Sequence, residues 1–177
     1  MQSSIDIFKD SVDLILGLRA DGDLTKKIKE RMNSFEEVQG VYDLNLHNYG
    51  ASSIIASAHI QVRNDMTAEE IHILTREIEY LIYHEFGIVL TIGIYAANDK
   101  GEFGEIKKAL YDILNEYKNV LQVHGFYVDK ADNVYFDLIM DFETENREEV
   151  KNEILEKLKE KYPKYNYNVI LDQDITD

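Results

Sequence analysis

The sequence has no cysteine among its 177 residues, and it has no apolar run long enough to span a bilayer. Without cysteine there is no disulfide framework, no thiolate metal site and no cysteine nucleophile, which fits a reducing compartment. Basic residues are also few, with 19 Lys and Arg against 34 Asp and Glu and a net charge of -15. This acidic excess disfavours nucleic acid and anionic lipid surfaces as partners, while it supplies many oxygen ligands for cations.

Sequence motifs of common enzyme classes are missing as well. The chain contains no glycine-rich phosphate loop and no nucleophile elbow. It also lacks the His-Glu-x-x-His helix of metalloproteases, because His84 is followed by Glu85, Phe86 and Gly87. We therefore do not expect an enzyme.

Apolar periodicity predicts a regular order of helices and strands in residues 1–97. Ile5 to Leu16 form a short amphipathic helix at the start, within a lead-in segment of residues 1–20. A second helical stripe follows, and the runs "VQGVYDLNLHNYG" and "SSIIASAHIQV" read as two strands. Thr67 begins an N-cap pattern for a helix that reaches about Phe86, and Gly87 ends it before the strand "IVLTIGIY". The second stripe comprises Leu24, Ile28, Met32 and Phe35.

Residues 98–177 repeat the pattern of residues 21–97. The stripe of Leu24 and Ile28 recurs 82 residues later as Ile106 and Leu110. The connection between the first two strands is about three residues shorter in the second half, so the offset falls to 79 after it. Each half then reads helix, strand, strand, helix, strand. We predict an α+β fold made of tandem ferredoxin-like (αββαβ) domains, residues 21–97 and 98–177, joined by the polar stretch "AANDKGEFG".

Several blocks in residues 3–97 resemble a known family. The runs "FKDSVDLILG", "GVYDLNLHNYG", "IIASAHIQV", "MTAEEIHILTREIEYLI" and "FGIVLTI" occur in the order and at the spacing of the cytoplasmic C-terminal domain of cation diffusion facilitator transporters. The resemblance implies a homodimer at the cytoplasmic face of the cell membrane. It also implies a divalent metal cation/proton antiporter whose membrane domain lies outside this sequence. The block "DLxxHNYG" is associated by analogy with manganese or iron, and zinc is the third candidate metal.

The zinc-binding members of that family suggest where ligands would lie. They carry a histidine after "GV" on the first strand, another on the second strand, and a His-x-Asp pair on the last strand. The matching places in the first half hold Tyr42, His59, Gly93 and Tyr95. We expect no carboxylate beside His59, and one imidazole does not make a zinc site, which needs three or four ligands.

The second half restores part of this ligand set. The repeat offsets place His124 where Tyr42 stands and Asp172 and Asp174 where Gly93 and Tyr95 stand. Side chains two residues apart on a strand share a face, so the two aspartates can serve one cation. The competing interpretation is that they are the solvated end of an acidic chain.

The remaining ligand position is ambiguous in the sequence. The offset of 79 maps His59 onto Leu138, and either Asp137 or Asp141 is a possible substitute. Carboxylates with one imidazole suit Mn, Fe(II) or Zn without deciding among them. The predicted metal-binding residues are His124, Asp172, Asp174 and His59.

A second class of function also fits tandem ferredoxin-like domains. Small-molecule sensors of the amino-acid-binding regulatory type hold their ligands between paired domains. Such sensors have no need of the amphipathic lead-in helix or of the "HNYG" block, so we place this alternative second. Binding of an amino acid in the absence of metal binding would favour it.

Overall fold

The computed structural model of the chain describes residues 22–49 and 53–172. The predicted lead-in helix within residues 1–20, residues 50–52 between the first two strands, and Asp174 lie outside the described residues. In the described part of the chain, no helix has the length and hydropathy needed to cross a bilayer.

The first compact unit contains the described residues up to Ile94. Its three strands form one sheet in the order β1-β2-β3, and β1 pairs with β2 antiparallel. Ala56, Ala58, Ile60 and Val62 alternate along β2 and bury one face of the sheet against the helices. Its elements are α1 (Gly22–Met32), β1 (Gly40–Tyr49), β2 (Ser53–Arg63), α2 (Ala68–Phe86) and β3 (Val89–Ala97).

Local sequence sets both ends of α2. The Thr67 hydroxyl accepts a hydrogen bond from the Glu70 backbone N–H at 3.2 Å, and the Glu70 carboxylate accepts one from the Thr67 N–H at 2.6 Å. This capping box satisfies two backbone donors at the helix start. Gly87 has a left-handed conformation with φ of 69°, and its N–H donates to the Tyr83 carbonyl. Both predicted ends of the helix are confirmed.

The second compact unit begins at Tyr95 and repeats the order of elements. Its sheet has the order β4-β5-β6, with β4 and β5 antiparallel and β5 and β6 parallel. A separate core forms from Ile106, Leu110, Phe136, Ile154 and Leu158, each almost fully buried. Its elements are α3 (Glu102–Leu114), β4 (Val120–Val128), β5 (Asn133–Met140), α4 (Arg147–Lys161) and β6 (Asn166–Asp172). The predicted α+β class with tandem ferredoxin-like units is confirmed.

The border between the units falls inside β3, ahead of the polar stretch "AANDKGEFG". The buried Asn98 side chain belongs to the second unit, where it accepts a hydrogen bond from the Val128 N–H at 3.1 Å and donates to the Val128 carbonyl at 2.5 Å. These two bonds hold residue 98 against the end of β4. Only residues 98–101 separate β3 from α3.

Candidate metal centre

His124 lies on β4 in the sheet of the second unit. Val123 and His124 are consecutive and both buried, so both faces of β4 are covered at this point, and the imidazole is 0% exposed. The pairing of β4 with β5 shifts register between His124 and Tyr127, which marks a β-bulge. Gly125 sits in the bulge with φ of 65°. The bulge follows directly after the histidine.

Two carboxylates approach the two ring nitrogens of His124. Asp137, the cross-strand partner of His124 on β5, places Oδ2 3.6 Å from Nδ1. Asp172, on β6, places Oδ2 3.9 Å from Nε2. The Asp137 side chain is 17% exposed and that of Asp172 is 40% exposed. Each strand of the sheet therefore supplies one polar side chain, with Asp172 two residues beyond Ile170, which is the residue of β6 that pairs with Asp137.

Tyr95 and Gly125 position the Asp137 carboxylate. The Tyr95 hydroxyl donates a hydrogen bond to Asp137 Oδ2 at 3.1 Å, and its ring lies 5.6 Å from the imidazole of His124 between centroids. A Cβ on Gly125 would lie 3.0 Å from Asp137 Oδ2 and 3.2 Å from Tyr95 Cε1. A Cβ at position 125 would require the carboxylate or the ring to shift by a few tenths of an ångström.

This arrangement suits a cation on the Nε2 side of His124. A nitrogen and an oxygen bound to one zinc ion at about 2.0–2.2 Å lie roughly 3.4 Å apart in tetrahedral geometry, so the half-exposed Asp172 is about 0.5 Å from a ligand position. His124 and Asp172 would be two of the three or four ligands that zinc takes. Asp137, on the Nδ1 side, lies where a carboxylate orients the ring of a metal-bound histidine, although 3.6 Å exceeds an ordinary hydrogen bond.

His59 belongs to the first unit and has a carboxylate neighbour there. Its Nδ1 lies 2.8 Å from Oδ2 of Asp43, which has φ of 53° in the bulge of β1. The expectation that His59 lacks such a neighbour is wrong, because the bulge turns Asp43 toward β2. The ring also covers Gly93, where a Cβ would lie 2.2 Å from His59 Cδ2. His59 occupies the space that a side chain at position 93 would need.

Residues 20–94 match the family model of the cation efflux protein cytoplasmic domain. Residues 20–94 therefore form a cation efflux cytoplasmic domain. No match is found among curated proteins. Among solved structures, the chain is similar to the cadmium form of one MamM CTD variant and the nickel form of another, each with 22% identity and a TM-score of 0.40. These matches cover 43% of this chain and 96% and 98% of those chains.

The cation efflux domain and the second unit can be aligned through their bulges. The register shift between Tyr42 and Asn45 recurs 82 residues later between His124 and Tyr127, as the sequence offset predicts. Tyr42 pairs with His59, and His124 pairs with Asp137. The position of His59 in the cation efflux domain is therefore taken by Asp137 in the second unit.

The assignment of His59 to Leu138 was wrong by one residue. Leu138 is fully buried in the core of the second unit, and Asp141 lies beyond the end of β5. Asp137 was one of the two substitutes named from the sequence, but Tyr95 was not foreseen as its hydrogen-bond donor. The alternation of polar and apolar residues along β5 was the signal that favoured Asp137. No local pattern indicates the contact with Tyr95.

Proposed function

We propose that this chain is the cytoplasmic regulatory and dimerisation region of a divalent metal cation/proton antiporter that exports Mn, Fe or Zn, and that it senses the exported metal. The family match of residues 20–94 supports the transporter assignment. The observation that carries the sensing role is the buried imidazole of His124, with Asp172 3.9 Å from one nitrogen and Asp137 3.6 Å from the other.

The proposed ligands are His124 through Nε2, Asp172 and Asp174. Asp137 acts on the opposite nitrogen and orients the imidazole, and Tyr95 holds Asp137 through its hydroxyl. One imidazole with carboxylate oxygens is a donor set that Mn, Fe(II) and Zn all accept. Selection of the transported ion belongs to the membrane domain.

His59 is proposed as a secondary site only. With Asp43 it offers two donors in the cation efflux domain, fewer than a stable zinc site needs. Gly93 and Tyr95 stand at the sequence positions that match Asp172 and Asp174, so the aspartate pair has no counterpart at those positions. The tighter site is therefore expected at His124.

The regulatory step follows from the charge of the protein. A chain with a net charge of -15 repels a second copy, and a bound cation reduces that repulsion locally. Metal binding then favours one packing of two soluble regions over another, without covalent chemistry. The soluble region would lie at the cytoplasmic face of the cell membrane, and its change in packing would be transmitted to the membrane domain of the same polypeptide.

Titration calorimetry with Mn²⁺ and with Zn²⁺ on the full chain tests the proposal. Asp172→Asn with Asp174→Asn removes two negative ligands at nearly constant shape, and we expect affinity to fall on the order of 10-fold or more. The matched control, Glu105→Gln with Asp112→Asn, removes two charges from exposed positions of α3 and should leave affinity unchanged. Identical isotherms for the wild type and the first variant would refute the site.

A further inference from the structure

The solvent side of α2 carries large apolar side chains that stay exposed among the described residues, although the Tyr80 ring lies 4.1 Å from the His84 ring of the same helix between centroids. Ile73 is 50% exposed and Tyr80 is 67% exposed, although Leu74, Ile78 and Ile82 already bury the opposite face of the helix. Ile73 and Tyr80 also line an open groove of about 570 Å³ together with Phe35 and Leu81. Exposed apolar side chains that share a groove often mark an interaction surface.

The second unit shows that the fold does not require this patch. The buried residues Leu74 and Ile78 of α2 match the buried Ile154 and Leu158 of α4, so within this helix the burial pattern gives an offset of 80, one more than the 79 predicted from the sequence. At that spacing the exposed Ile73 and Tyr80 match Glu153 and Glu160, which are both exposed. The same helix in the same fold thus carries glutamate where α2 carries isoleucine and tyrosine.

The exposed residues around the patch are self-complementary. We define the outer stripe of α2 as the residues that helical periodicity places on one face around Ile73. When two copies of the stripe are antiparallel about a two-fold axis between residues 76 and 77, Ile73 meets Tyr80 and Arg76 meets Glu77. At the ends Glu69 meets His84. The stripe comprises Glu69, Ile73, Arg76, Glu77, Tyr80 and His84.

We propose that the outer stripe of α2 is a self-association surface, at which α2 of a second copy of this chain docks antiparallel. An isologous contact requires this pairing of each residue with its complement on the partner. The two Ile73–Tyr80 pairs then lie along the midline of the contact, and the Arg76–Glu77 pairs flank that midline at the two-fold axis. It rests on the proposed dimerisation and assigns a surface to it, but it does not involve the His124 site.

Sedimentation equilibrium of the metal-free full chain tests the surface. Ile73→Glu with Tyr80→Glu gives α2 the residues that α4 carries, so we expect the helix to remain folded and the dissociation constant of the dimer to rise at least 10-fold. Tyr111→Glu is the matched control, because Tyr111 is an exposed tyrosine on another helix, and it should leave the constant unchanged. A monomeric wild type, or a dimer that the double variant does not weaken, would overturn the proposal.

A charge exchange tests the antiparallel register. Arg76→Glu places two glutamates opposite each other and should weaken association several-fold, whereas Arg76→Glu with Glu77→Arg restores opposite charges across the axis. Arg76 also donates to Glu79 within α2 at 2.7 Å, and the second substitution does not rebuild that bond. Recovery of the dimer in the double variant therefore reports the contact between copies. If the double variant stays as weak as the single variant, the register is wrong. Calorimetry with Mn²⁺ on the same variants measures metal binding at the His124 site independently. A failure of the α2 surface can therefore be distinguished from a failure of the proposed metal site.

Discussion

Gly125→Ala is the substitution whose effect follows most directly from the geometry at His124. The new Cβ would lie 3.0 Å from Asp137 Oδ2 and 3.2 Å from Tyr95 Cε1, closer than ordinary contacts. Such crowding costs about 1–3 kcal/mol. The left-handed backbone with φ of 65° costs about 1–2 kcal/mol more for alanine, and the smaller entropy of its unfolded chain returns about 0.4–1 kcal/mol. We expect a net loss of about 2–4 kcal/mol in the second unit.

Gly87→Ala is the matched control for the backbone contribution. Gly87 has nearly the same φ, 69°, and a Cβ there would meet no atom within 4 Å. Native-state hydrogen exchange separates the two units, because the amide of Leu138 reports on the second core and the amide of Ile78 reports on the first. Gly125→Ala should lower the protection of Leu138 by about 1–3 kcal/mol more than Gly87→Ala lowers that of Ile78. Equal losses would mean that Asp137 and Tyr95 move aside freely, and the argument that Gly125 fixes the carboxylate would fail.

Two further predictions concern the cation efflux domain. Gly93→Ala should destabilise the first unit by about 1–3 kcal/mol, because its Cβ would lie 2.2 Å from His59 Cδ2. Adding His59→Ala to the same chain removes the clashing ring and should recover most of that loss. If hydrogen exchange shows that the two substitutions destabilise the unit additively, the clash is not the cause. Hydrogen bonds from the backbone N–H and hydroxyl of Thr67 lower the pKa of Glu70 below its usual value. The contribution of Glu70 is therefore present above the ordinary pKa of about 4.3 and is lost as pH falls through the lower folded pKa. The difference in unfolding free energy between the wild type and Glu70→Gln should therefore become smaller in unfolding curves recorded at lower pH. A difference that does not change with pH would contradict the stabilising role of the ionised Glu70 carboxylate.

The order of elements could be predicted from the sequence because its signals are local. Thr67 and Glu70 are three residues apart, and Gly87 follows the last apolar turn, so α2 could be delimited without any tertiary contact. Strands β2 and β3 could be predicted from the alternation of apolar residues in the sequence. Comparison of the two halves of the sequence aligned His124 with Tyr42. A β-bulge follows each of these two residues in the structure, which supports that alignment.

The neighbours of the histidines depended on strand pairing, which no local pattern fixes. A one-residue difference in register exchanges the two faces of a strand, so Leu138 and Asp137 could be told apart only by the pairing of β4 with β5. The contacts of Asp43 with His59 and of Tyr95 with Asp137 join residues 16 and 42 positions apart in the chain. The sequence by itself determined the two units and the strand that carries His124. Only the tertiary structure decided which carboxylates meet each imidazole, because bulges and sheet register set those distances.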